Sequence, residues 1–320
     1  MGIVAAYAVP HPPLAMPEVG RGQERAIQDT LDAYREVARR IAAHAPETVV
    51  VVSPHAPLFR DCFHLSTGDF DRGDMGRFGA WDSSMTVRYD GEMTAAIAAC
   101  ARKHTVPLCG SGMGGKDLDH ATIVPLHFVN EAYSTYQVVR IGLSGLSAPD
   151  RTLGAGGAAS PEAAADLDRS CVLIASGDLS HKLASDGPYG YAPQGPVFDR
   201  MVTALFDAGD LNGLLEIDET FGEEAAECGL RSFWIMAGAL EGLPISHELL
   251  SYEGPPSAWV TRWPRSRCRA RPATAPCGPR LTAMRIAAVR ATQPRTMRRS
   301  TRTLRLPAPA SKGSCARATP

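Results

Sequence analysis

The chain has 320 residues, 44% hydrophobic and 21% charged, which is enough for one large domain or two ordinary ones around a substantial core. No apolar run reaches the roughly 18 residues of a membrane-spanning helix, and MGIVAAYAVPHPP lacks the basic start and cleavage site of a signal peptide, so the chain reads as mature cytoplasmic protein. The formal charge of −1 hides an asymmetry: residues 1–253 hold 18 of the 33 Lys and Arg but all 34 Asp and Glu, while the remaining 15 basic residues lie beyond Glu253. The eight cysteines show no CxxC pairing and fit reduced thiols.

Ile3–Val9 reads as a first strand and Gln23–Ala43, with Ile27, Leu31, Tyr34, Ala38 and Ile41 on one side, as an amphipathic helix. Thr48–Val52 (TVVVV) is apolar throughout, as a strand buried on both faces must be. Asp69–Asp82 is Gly/Asp-rich and reads as a loop. Gly91–His104 is helical in pattern, Thr105–Cys109 and Gln137–Ile141 are strand-like, and Ser160–Arg169 is helical. Cys171–Ala175 (CVLIA) is another buried strand, followed by helices over Pro196–Ala208 and Ala225–Leu240. Strands alternating with helices imply a layered α/β domain with a largely parallel sheet, over residues 1–254.

Residues 255–320 have no apolar periodicity and an Arg/Pro/Ala/Thr bias. GC-rich coding sequence read in the wrong frame gives that composition, and shifting a back-translation of Pro256–Pro264 by one base yields FGVGYAVA, a plausible closing strand. The segment is therefore expected to be a disordered basic tail that leaves a sheet edge unpaired, rather than a nucleic-acid or membrane contact.

Three apolar strands run into histidine-bearing turns: Val9-Pro10-His11-Pro12-Pro13, Ser53-Pro54-His55, and Ser176-Gly177-Asp178-Leu179-Ser180-His181. Open α/β sheets bind ligands beyond the carboxyl ends of their strands, and two imidazoles plus a carboxylate make a first-row metal site with open positions. Glu227 borders the stripe Ala226, Leu230, Phe233, Ala237 and Leu240 and is the candidate carboxylate, with Cys228 as the alternative ligand. A Gly-rich stretch from Gly112 leads to Asp119 and His120; its spacing is not that of a phosphate loop. His44, His64, His104, His127 and His247 lack comparable context, and Cys62, Cys100, Cys109 and Cys171 read as small core residues.

The segments VPHPP, VVVVSPHA, LDHATIVPL, IASGDLSHKL and AECGLRSFWIMAGAL together resemble the class III extradiol dioxygenase superfamily, the LigB-like and Memo-like proteins. More narrowly, residues 1–254 resemble the N-terminal half of AmmeMemoRadiSam system protein A, whose second domain has no counterpart here. The resemblance implies a three-layer α/β/α fold with a largely parallel or mixed central sheet, and a mononuclear Fe(2+). His11, His55 and Glu227 would hold the iron, although Memo-like relatives use a cysteine before glycine, which points to Cys228. His181 would accept a proton from an aromatic diol, His120 would return one as O2 is incorporated and the ring opens, and Asp119 and Asp178 would line the pocket. The alternatives are a non-catalytic Memo-like module working beside a radical SAM protein, and a hydrolase using Zn(2+) or another divalent metal. A homo-oligomer is compatible with either.

Overall fold

The structure is a computed structural model that describes residues 2–111, 118–145 and 161–254, and the backbone of 285–291. Its strands are β1 (Gly2–Val9), β2 (Thr48–Ser53), β3 (Phe63–Ser66), β4 (Phe70–Met75), β5 (Ala80–Arg88), β6 (Leu108–Ser111), β7 (Gln137–Gly142), β8 (Ser170–Ser176), β9 (Ile245–Tyr252) and β10 (Arg285–Ala291). The helices are α1 (Pro17–Gly20), α2 (Gln28–His44), α3 (Gly91–Lys103), α4 (His120–Ala132), α5 (Pro161–Asp166), α6 (Gln194–Ala208), α7 (Glu219–Ala225) and α8 (Leu230–Leu240).

Eight strands form one sheet in the order β6-β3-β7-β2-β8-β1-β10-β9. β7, β2, β8 and β1 are mutually parallel, β3 runs against β7, and β10 runs against both β1 and β9. Every residue of β2 and β8 is buried, which is why both sequences are apolar on both faces. Met93 and Ile97 of α3, Phe198 of α6, and Phe233 and Trp234 of α8 pack one face of the sheet. Leu31, Tyr34 and Ile41 of α2 and Ile123 and Phe128 of α4 pack the other, joined by Met75 and Val87 of the β4–β5 hairpin. This is the expected three-layer α/β/α arrangement.

Several local expectations are corrected. The stretch read as a loop over Asp69–Asp82 contains β4 and the start of β5, a separate two-stranded ribbon with Phe70 opposite Arg88. The strand expected over Thr105–Cys109 begins only at Leu108, because Thr105 takes a left-handed φ of 56° in the turn after α3. The helix expected over Ala225–Leu240 starts only at Leu230, because α7 ends at Ala225 and Ala226 adopts a left-handed φ of 52°. Cys62 and Cys109, read as reduced core thiols, are joined by a disulfide. Cys100, Cys171 and Cys228 are free. The edge of β1 is not left open: Arg285–Ala291, inside the stretch read as tail, lies between β1 and β9. Residues 255–284 and 292–320 are outside the described residues, as are 112–117 of the Gly-rich stretch.

Candidate metal centre

Parallel registry brings the histidine turns to one level. Val9 of β1 pairs with Ser176 of β8, and Val52 of β2 pairs with Ala175, so all three chains leave the sheet side by side. His11 and His55 thus meet with ring centroids 5.0 Å apart. His120, the first residue of α4, comes up against both, 5.3 Å from His11 and 4.4 Å from His55. One ring nitrogen from each of these three residues lies within 4.8 Å of the other two. A second group able to hold an ion shares His11 and adds Asp178 and Cys228. The Cys228 Sγ is 3.5 Å from His11 Nε2, and Asp178 Oδ2 is 3.6 Å from the same nitrogen.

The surrounding chain fixes these side chains. Asp178 Oδ1 accepts from the His11 backbone N–H at 2.6 Å, and the Tyr34 hydroxyl of α2 donates to the Pro10 carbonyl. Gly177 and Gly229 touch backbone to backbone; a Cβ on Gly177 would overlap the Gly229 Cα, so only glycine lets the Asp178 turn approach Cys228. Asp119 caps α4 by accepting from Thr122 N at 3.0 Å. The same carboxylate accepts from Ser53 Oγ at 2.6 Å, while Ser53 Oγ accepts from the His55 N–H at 3.2 Å. One carboxylate therefore joins the His55 turn to the His120 helix. Arg140, 1% exposed, balances it from β7, 3.4 Å from Asp119 and 3.2 Å from Asp71 of the hairpin. The hairpin also brings Phe78 against His120, 5.0 Å between centroids.

Burial lowers the pKa of His11 to about 4, partly opposed by Asp178. Burial and the two neighbouring imidazoles lower His120 to about 3. His55 is an exposed residue, yet partial desolvation of its ring also lowers its pKa. All three rings are neutral at pH 7 and can offer lone pairs. His181 is opposite in sense: burial alone would lower it, but the Asp178 carboxylate and the Ala226 carbonyl raise it. Asp178 is itself held far below the ordinary carboxylate range, because His11 and His181 outweigh its burial. The Cys228 thiol is pushed up by burial and by Asp178.

The structure therefore brings together His11, His55 and His120, with Asp178, Cys228 and His181 beside them. It does not bring Glu227 into either group. The break at Ala226 takes Glu227 off the helical stripe, and its carboxylate accepts from Leu230 N at 2.6 Å, capping α8. Asp119, expected to line a pocket, has its carboxylate engaged by Ser53, Thr122 and Arg140. Four contributors escaped the sequence reading: Arg140, Phe78, Ser176 at the end of β8, and Tyr189, whose ring lies 5.0 Å from His181. Ser176 stands in the IASGDLSH motif, and a lone Arg in the apolar strand QVVRIG was a visible oddity.

Residues 5–261 match the family described as the catalytic LigB subunit of aromatic ring-opening dioxygenase. The fold agrees with that match, and the chain belongs to this family. Among curated proteins it is similar to Protein CA_C1420 of Clostridium acetobutylicum, 38% identical over 264 residues. The match covers 79% of this chain and 55% of that protein, so the chain spans about half the length of its curated relative.

Proposed function

We propose that the chain holds one divalent metal ion, Fe(II) in the working protein, and acts as an extradiol-type ring-cleavage dioxygenase on an aromatic diol with O2. The observation that carries this reading is the meeting of His11, His55 and His120, three neutral imidazoles from separate segments, with ligand nitrogens within 4.8 Å of one another. The donor set fits the group: imidazole nitrogens with a thiol and a carboxylate in reach suit a first-row transition metal better than Mg2+ or Ca2+. His11 and His55 would hold the ion, with His120 as the third nitrogen donor. A bound iron supplies a centre at which a diol and O2 can meet and exchange electrons.

The protein's own residues do the proton and positioning work. His181, with Nδ1 held by the Ala226 carbonyl and Nε2 3.6 Å from Asp178, can accept a hydroxyl proton, and the Asp178 carboxylate stabilises the resulting imidazolium. Phe78 and Tyr189 offer aromatic surfaces beside His120 and His181 for an aromatic ring to lie against. The test is metal analysis of anaerobically purified protein with oxygen uptake across a panel of catechols. Iron near one equivalent and oxygen uptake, both lost in His55→Ala, support the reading. Unchanged iron content and turnover in His55→Ala would refute it.

A second reading is favoured by Cys228, the residue of Glu227-Cys228-Gly229 that reaches His11. That placement suits a Memo-like module of an AmmeMemoRadiSam system, which would bind metal through the thiol and turn over no diol. It requires Cys228→Ala to lose the metal while Glu227→Gln keeps it, with no oxygen uptake from any catechol. Stoichiometric zinc would instead indicate a hydrolase.

A further inference from the structure

We infer that Ser176 is a positioning residue that fixes the tautomer of His11, keeping the proton on Nδ1 and leaving Nε2 bare toward the candidate metal centre, and that Pro125 sets up this arrangement from inside α4. This deepens the proposed metal centre and rests on His11 being one of its ligands.

Pro125 lies inside α4. In an α-helix the carbonyl of residue 121 accepts from the N–H of residue 125, and proline has none. The Ala121 carbonyl therefore lacks its ordinary partner, in a buried position where an unpaired acceptor is costly. The Ser176 hydroxyl takes that place, donating to Ala121 O at 2.7 Å across from β8. A serine hydroxyl has one proton and two lone pairs. With its proton committed to Ala121, Ser176 Oγ can only accept from its other neighbour, His11 Nδ1, 3.0 Å away. Nδ1 must then carry the hydrogen. Were it bare, two lone pairs would face each other at that distance inside a fully buried site.

The rival tautomer would place the proton on Nε2, toward Asp178 Oδ2. That carboxylate oxygen is 3.6 Å away, beyond hydrogen-bond range, and the other, Asp178 Oδ1, accepts from the His11 backbone N–H. Nε2 is also the nitrogen beside the Cys228 sulfur, 3.5 Å from it. A partner that locks Nδ1–H is the arrangement that orients metal-bound imidazoles elsewhere and raises their basicity. Here the lock is a neutral hydroxyl, itself aimed by a helix whose internal hydrogen bond is missing, and the same helix carries His120.

Two measurements test this, one of which needs no metal. A long-range 1H–15N correlation spectrum of the metal-free protein, assigned with His11→Gln, is expected to show Nδ1 of His11 protonated and Nε2 unprotonated. The reverse pattern, or rapid averaging between the two, would overturn the inference. Affinity for Co2+ alone, read from its visible absorption, is expected to fall about 10- to 100-fold in Ser176→Ala and to recover in Ser176→Thr. Wild-type affinity in Ser176→Ala, with folding verified by circular dichroism, would also overturn it. A wild-type protein that binds no Co2+ yet shows the Nδ1–H pattern would strike the metal centre and leave the tautomer assignment standing.

Discussion

The middle of the sheet and its β9–β10 edge are built on different terms. β2, β8 and β1 are parallel, buried on both faces, and their carboxyl ends are tied by Asp178, Asp119 and Ser53 into one hydrogen-bonded unit. β9 has three consecutive exposed residues, Ser246–Glu248, and reaches the rest of the sheet through β10, a strand that arrives from beyond residue 284. Beyond the β1–β10 ladder, a buried carboxylate also links the two regions. Asp199 of α6 accepts from Ser180 N, next to His181, and from the Tyr252 hydroxyl at the end of β9, both at 2.9 Å. The site thus depends on centrally locked turns, while the edge contributes to stability with little say in where the histidines stand.

The largest effect is expected at the centre of the sheet. Arg140→Ala leaves the buried Asp71 and the half-buried Asp119 without their guanidinium, and the expected loss is about 3–5 kcal/mol by urea unfolding, together with weaker Co2+ binding. Stability within 1 kcal/mol of wild type would show that the network is not what holds the turns. At the edge, deleting residues 255–320 removes β10 and several ladder hydrogen bonds, each worth roughly 1 kcal/mol. The melting temperature is expected to fall while Co2+ affinity of the folded fraction stays within threefold. Fusing FGVGYAVA after Pro255 in place of the tail is expected to restore the melting temperature.

The link between the regions has a pH signature. Burial pushes Asp199 up to about 6, against the hydrogen bonds from Ser180 and Tyr252. Between the ordinary value of 3.8 and about 6, the folded protein keeps a proton that the unfolded chain has released. Stability must therefore fall as pH rises through that interval and stay lower above it, by on the order of 3 kcal/mol. Asp199→Asn is expected to flatten this fall when unfolding is compared at pH 4.5 and pH 7.5; an unchanged slope would remove Asp199 as its source. The smallest effect separates neighbours in one turn. Glu227→Gln weakens the cap of α8 by about 1 kcal/mol and leaves metal content unchanged, because the carboxylate faces Leu230 N rather than His11.

What the sequence disclosed follows from how local each signal is. β1, β2 and β8 were legible because strands covered on both faces are apolar at every position, and their histidine turns follow directly. The convergence of His11 and His55 could be argued from strand ends alone. Glu227 was misplaced because a helical projection assumes an unbroken helix, and the break rests on the left-handed φ of Ala226, a residue type that rarely adopts it. The β4–β5 ribbon hid behind glycines and aspartates, since a strand pair outside the main sheet needs little apolar alternation. Arg140 and Ser176 act through partners far off in the chain, Asp71, Asp119 and Ala121, and no spacing within one segment reveals such contacts.

The Cys62–Cys109 bond has a consequence for how the molecule comes apart. It closes the chain into a ring that contains the ribbon carrying Phe78, all of α3, and the Asp71 that meets Arg140. A protease nick anywhere within that ring severs the backbone but releases no fragment. The cut protein would migrate as a single species until a reductant is added, with the roof over His120 still tethered on both sides.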